Sequence, residues 1–61
     1  MTTIERLLTT GEVAEMLRVS PRTLESWRLL ARGPAFVRCG RRVGYRPEAV
    51  EHWLAERTSA A

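Results

Sequence analysis

The sequence predicts a mainly α-helical chain with one small β-hairpin, arranged as a winged helix-turn-helix: helix, tight turn, helix, hairpin wing, helix. Three observations carry this expectation. Capping or proline signals open three helices, at Thr9, Ser20-Pro21 and Pro47. The first two helices are separated only by a connector around Val19. Two short runs of β-branched and aromatic residues flank a turn at Gly40.

Thr9-Thr10-Gly11-Glu12 has the spacing of a capping box, in which the threonine hydroxyl takes an orphan amide and the glutamate reaches back to the cap. Leu8 precedes the cap, placed to staple onto Val13. Val13, Met16 and Leu17 fall on one helical face, and the helix is expected to end near Arg18, with Glu12, Glu15 and Arg18 outward. Ser20 caps the second helix and Pro21 starts it with φ already set. Leu24, Trp27 and Ala31 form its expected buried stripe, Arg22, Glu25, Ser26, Leu29 and Arg32 face away, and Gly33-Pro34 ends it. The strands centre on Phe36-Val37-Arg38 and Val43-Gly44-Tyr45-Arg46, with Phe36, Val43 and Tyr45 inward and the first two ranked ahead of the tyrosine. Pro47 opens the third helix, Glu48 suits its positive end, and Val50, Trp53 and Leu54 are its core face. Residues 1–6 read as a loosely held arm and residues 58–61 as a frayed tail, leaving an ordered core of about residues 7–57 in a single domain spanning 1–61.

With 61 residues there is room for one small core and none for an effector domain or a deep catalytic cleft. The lone Cys39 excludes an internal disulfide, and with His52 it is too little for zinc, which takes three or four protein ligands. No cofactor and no small-molecule ligand is expected. No apolar run approaches the roughly 20 residues that span a bilayer, and Glu5 and Arg6 interrupt the one stretch that resembles a signal peptide. The expected location is a reducing cytoplasm.

The net charge is +3, but its distribution is uneven. All ten basic residues are arginine and all seven acidic ones are glutamate. Between Pro21 and Arg46 stand seven arginines and the single acid Glu25, whereas acidic residues dominate on both sides. Such a face suits a polyanion. In a helix-turn-helix the second helix enters the major groove and reads bases with its N-terminal half, which makes Arg22, Thr23, Glu25, Ser26 and Arg28 the candidate base readers. Arginine can pair with guanine O6 and N7, and a carboxylate can accept from cytosine N4. Glu25 either reads a base or orients an arginine, or else pairs with Arg22 or Arg28 on a solvated face. Leu29 can touch a thymine methyl, pack on a neighbouring subunit, or be buried if the helical phase drifts. Arg41 and Arg42 at the wing tip can reach a minor groove. Arg32, Arg38 and Arg46, with the helix end capped by Ser20, are the expected phosphate contacts. Trp27 and Trp53 offer stacking surfaces, but their spacing with leucine and valine assigns them to the core. No acid-base pair, nucleophile triad or phosphate-cradling loop is present, which argues against an enzyme.

Leu7-Leu8-Thr9-Thr10-Gly11-Glu12-Val13-Ala14-Glu15-Met16-Leu17, Val19-Ser20-Pro21-Arg22-Thr23-Leu24, Trp27, Gly33-Pro34, the run from Phe36 to Pro47 and Trp53-Leu54-Ala55 together resemble the small excisionase-like and AlpA-like helix-turn-helix proteins, relatives of the MerR DNA-binding domain. The resemblance covers nearly the whole chain. It implies a recognition helix in the major groove and a wing in the minor groove of double-stranded DNA. It departs from the family's pattern at Cys39, where an aliphatic residue is usual, and at Gly44, where a second basic residue is common. The expected consequences are a looser wing and one weaker phosphate contact.

The resemblance further implies one of two jobs in a bacterial cell, on the nucleoid. Excisionases, or recombination directionality factors, bind attachment-site DNA cooperatively, bend it and direct a tyrosine integrase to excise. Others are small transcriptional regulators. The chain ends about four residues after the third helix, without the dimerisation helix and effector module of the larger regulators, which favours the architectural job. Its partners would be duplex DNA, neighbouring copies of itself and an integrase. A third possibility is a protein-interaction module that uses the basic face on an acidic partner.

Overall fold

The computed structural model describes residues 6–59. Three helices, α1 (Thr10–Leu17), α2 (Pro21–Leu29) and α3 (Pro47–Arg57), and two antiparallel strands, β1 (Val37–Cys39) and β2 (Arg42–Gly44), follow in the order α1-α2-β1-β2-α3. This is the winged helix-turn-helix. The arm expected at the N-terminus, apart from Arg6, lies outside the described residues, as does the end of the expected tail.

Each α1 boundary has a local cause. The Glu12 amide donates to Thr9 Oγ1 at 3.0 Å and the Thr9 amide donates to Glu12 Oε1 at 2.9 Å, closing the capping box. Arg6 adds an ion pair to the same carboxylate at 3.3 Å. At the other end Arg18 takes a left-handed φ of 60°, and the Val19 amide turns back to Ala14 O at 2.9 Å. The chain thereby reverses within residues 18–20, and Ser20 Oγ caps α2 by accepting from the Thr23 amide at 3.1 Å. A left-handed residue at such a turn is usually glycine; an arginine here accepts some backbone strain to make the tight turn.

The core consists of Val13, Ala14, Leu24, Tyr45 and Val50, with Leu8, Leu17, Val19, Trp27, Phe36 and Val43 packed around it. Four sequence expectations need correction. Met16 is 58% exposed and Ala14 takes its place, so the buried arc of α1 is rotated toward the side on which α2 packs closely. The α2 helix stops at Leu29, short of Gly33, and Ala31 is exposed with φ 56°. The Arg32 amide reaches Trp27 O at 2.7 Å and the Ala31 amide reaches Arg28 O at 3.4 Å, the paired bonds of a Schellman ending, with alanine at the left-handed position. Leu54 is 44% exposed, because α3 presents Val50 and Trp53 inward and leaves Leu54 at the margin. Tyr45, ranked behind Phe36 and Val43, is the largest fully buried side chain, at 1% exposure, while those two are half-buried.

Tyr45 is buried because the segment before α1 closes over it: Leu8 and Tyr45 exchange backbone hydrogen bonds of 2.8 and 2.9 Å in an isolated antiparallel bridge. The same closure accounts for Gly44. A Cβ there would stand 2.8 Å from Leu7 Cδ1 and 2.9 Å from Leu7 Cβ. Gly44 therefore does not mark a missing phosphate contact; it is buried and leaves room for Leu7. The two tryptophans pack on each other, ring centroids 5.4 Å apart, and Arg57 covers Trp53 at 4.2 Å. Both are structural, as their spacing implied.

The Glu12 carboxyl lies below the ordinary carboxylate range, chiefly through the hydrogen bond from the Thr9 backbone and, less, through Arg6. A carboxyl whose folded-state pKa is depressed contributes stability that is present above its unfolded pKa and is lost as pH falls through the folded value. The capping box is therefore expected to weaken in acid. Thr9→Ala should cost about 1 kcal/mol; it keeps the Thr9 backbone donor to Glu12, so the acid dependence is read from Glu12→Gln, whose difference from the unmodified protein in denaturant midpoint should shrink on acidification. A difference that is the same at every pH would show that the Glu12 charge does not strengthen the cap.

Candidate nucleic-acid interface

The face of α2 that points away from the core carries Arg22, Glu25, Ser26 and Leu29, all exposed. Their position follows from the helical period once Leu24 is buried, since each lies far from it around the helix axis. Leu29 is 88% exposed, which removes burial from the three readings open to it. Among the described residues Glu25 makes no ion pair with Arg22 or Arg28, so the reading of Glu25 as half of a surface salt bridge loses its partner. Thr23 is half-buried, and its hydroxyl sits 2.9 Å from Ser20 Oγ. Ser20 and Thr23 thus spend their hydroxyls on each other and on the cap, the Thr23 and Leu24 amides donate to Ser20, and Pro21 has no N–H, so what the first turn offers a phosphate is the Arg22 amide.

The wing turns through Gly40-Arg41, between the paired residues Cys39 and Arg42. Gly40 has φ 61°, and a positive φ at the first turn residue alone matches a type II′ turn, which follows the twist of the strands. The pleat then divides the wing's arginines. Arg38 pairs with Val43, and both line a shallow groove with Arg41 and, from α2, Glu25, Arg28 and Leu29. Arg42 pairs with Cys39 and lies on the opposite side, beside Leu7 and Thr9. The two tip arginines therefore point to different sides of the wing. Cys39 is exposed, and its departure from an aliphatic residue loosens no packing.

Arg22, Arg32, Arg38, Arg41, Arg42 and Arg46 are all exposed, and among the described residues none has a carboxylate partner. Arg38 rests near the Phe36 ring at 5.9 Å. Arg28 differs from the rest. It is half-buried, and its Nη1 donates to Tyr45 Oη at 2.8 Å and to Thr10 Oγ1 at 3.3 Å, with the guanidinium 5.8 Å from the Phe36 ring. Its position four residues after Leu24 places it beside the buried stripe, a signal that the sequence does carry. Tyr45 and Thr10 carry no sequence signal as its partners, because both are distant along the chain.

No group of three or more histidine, cysteine or acidic side chains comes together among the described residues. None of the described helices is long and apolar enough to cross a membrane. The surface chemistry is that of a set of guanidinium groups around an outward helix face.

A helix-turn-helix domain family matches residues 7–58. No curated protein and no solved structure gives a match. The matched span takes in α1, the tight turn, α2, the wing and α3, so every element of the interface falls within it. The chain belongs to this helix-turn-helix domain family, and its architecture is the one by which such domains bind double-stranded DNA.

Proposed function

We propose that the protein reads a specific duplex sequence, with α2 in the major groove and the wing against the adjacent backbone and minor groove. The observation that carries this reading is the groove flanked by the outward face of α2 on one side and by Arg38 and Arg41 of the wing on the other. Arg22, Glu25 and Ser26 are the base readers, with Thr23 at the edge of that face. Arg41 and Arg42 serve the minor groove, and Arg32, Arg38, Arg46 and the α2 end capped by Ser20 serve phosphates. The protein is a binding protein and not an enzyme, and it acts as one winged unit.

Its job in this proposal is that of an excisionase, or recombination directionality factor, as the resemblance of the whole α1-to-α3 pattern to that group favours. One module of this size covers about 600–1,000 Å² of DNA-facing surface. High selectivity then calls for several copies on adjacent sites, binding cooperatively, bending the DNA and meeting a tyrosine integrase there. Gel shifts on circularly permuted attachment-arm probes test it. Stepwise, cooperative complexes whose mobility depends on site position are expected. A single unbent complex at a promoter, with none on the arm, would identify a transcriptional regulator instead.

A salt series tests the electrostatic part. Log affinity should fall linearly with log salt, with a slope of about −0.9 per phosphate neutralised. Replacing Arg41 and Arg42 together by alanine should weaken binding to all sequences alike and flatten that slope by about 0.9 for each phosphate left without its arginine. An unchanged slope would remove the wing from the interface.

A further inference from the structure

We infer that Arg28 is a positioning residue, which sets the spacing between the recognition helix and the wing through its hydrogen bonds to Tyr45 and Thr10 and does not read bases. This rests on the reading of α2 and the wing as the two DNA-contacting elements.

The argument begins with what holds the wing. The α1 and α2 helices pack closely, and β1 and β2 pair with each other, but α2 and the strands share no comparably close packing. A two-stranded hairpin is marginal alone, and its placement depends on what ties it to the rest. Its base is tied to the α1 side by the Leu8–Tyr45 bridge. Toward α2 the wing shares the apolar core, where Leu24 and Trp27 pack in one cluster with Phe36, Val43 and Tyr45, and the directional tie is polar: one Arg28 nitrogen bonds both Tyr45 Oη, next after β2, and Thr10 Oγ1, at the start of α1. The guanidinium also lies 5.8 Å from Phe36, just before β1. A single side chain of α2 thus touches both ends of the wing and the first turn of α1. Hydrogen bonds from a charged donor are among the stronger ones, and a planar guanidinium holds direction as well as distance. Arg28 borders the groove between α2 and the wing, and reading a guanine there would require its Nη1 to leave Tyr45 and Thr10.

Two measurements test this. The first uses the free protein. Cys39 is the single cysteine, is exposed, and stands on β1, so a nitroxide attached there reports on the distance from wing to α2 through the relaxation of α2 amide protons. Arg28→Gln and Tyr45→Phe should both alter that relaxation while the thermal melt stays cooperative; Tyr45→Phe retains the buried ring and loses only the hydroxyl. Unchanged relaxation in both variants would overturn the proposal. The second uses duplexes randomised across the site. Both single variants should lose about tenfold in affinity, the scale of one charge-assisted hydrogen bond, the double variant should lose no more than either single one, and the selected sequence should stay the same. Relaxed preference at one base pair in Arg28→Gln, with Tyr45→Phe binding as the unmodified protein does, would make Arg28 a base reader and overturn the proposal. Absence of duplex binding by the unmodified protein would count against the DNA reading, and the relaxation measurement would still decide the geometry.

Discussion

Tyr45→Ala is expected to cost about 3–5 kcal/mol, the range for removing a large aromatic side chain from a core. Tyr45 is the largest of the fully buried side chains and belongs to a five-residue core. Its removal opens a cavity where the wing, α2 and the bridge to Leu8 meet, and also leaves Arg28 without its shortest hydrogen bond. Domains of this length have a total stability of only about 3–9 kcal/mol, at roughly 0.05–0.15 kcal/mol per residue. The variant should therefore lose about a third or more of the domain's stability, and all of it at the lower end of that range. Circular dichroism melts check this: a low, broad transition is expected for Tyr45→Ala. An alanine variant that melted like the unmodified protein would mean that the wing base is not part of the cooperative core.

Arg22→Ala is expected to produce the largest change in sequence reading without loss of fold. Arg22 is exposed in the first turn of α2 and has no carboxylate partner among the described residues. A bidentate arginine–guanine pair contributes about 1–3 kcal/mol of discrimination, which is about 5- to 140-fold in affinity. The loss should fall on the preferred sequence and relax preference at one base pair, while the melting transition stays in place. Equal loss on every duplex would assign Arg22 to a phosphate. The contrast with the paired wing variant is the informative comparison, since that one should lose affinity uniformly and change the salt slope.

Two positions show how a local reading can mislead. Gly44 looks like a lost basic residue when compared along the sequence, but the approach of Leu7 leaves no space for a Cβ. Arg28 looks like one more free arginine on a basic face, but it is half-buried and its Nη1 is engaged by Tyr45 and Thr10.

The sequence by itself determined what depends on neighbours within four residues. The capping box at Thr9 and Glu12, the Ser20-Pro21 start, the hairpin turn at Gly40, the Pro47 start and the outward face of α2 all follow from local hydrogen bonding, fixed φ values and the helical period. The basic stretch from Pro21 to Arg46 was equally legible, because charge is a property of composition. The tertiary structure alone decided which flank of each amphipathic helix is covered. Met16 and Leu54 sit at margins, since a period marks a face but not the direction from which the next element packs. It alone decided where α2 stops, because the chain must leave the helix axis at Ala31 to reach the wing. It also decided the contacts of Arg28, whose partners lie 17 and 18 residues away along the chain and come within hydrogen-bond reach only when α1, α2 and the wing assemble.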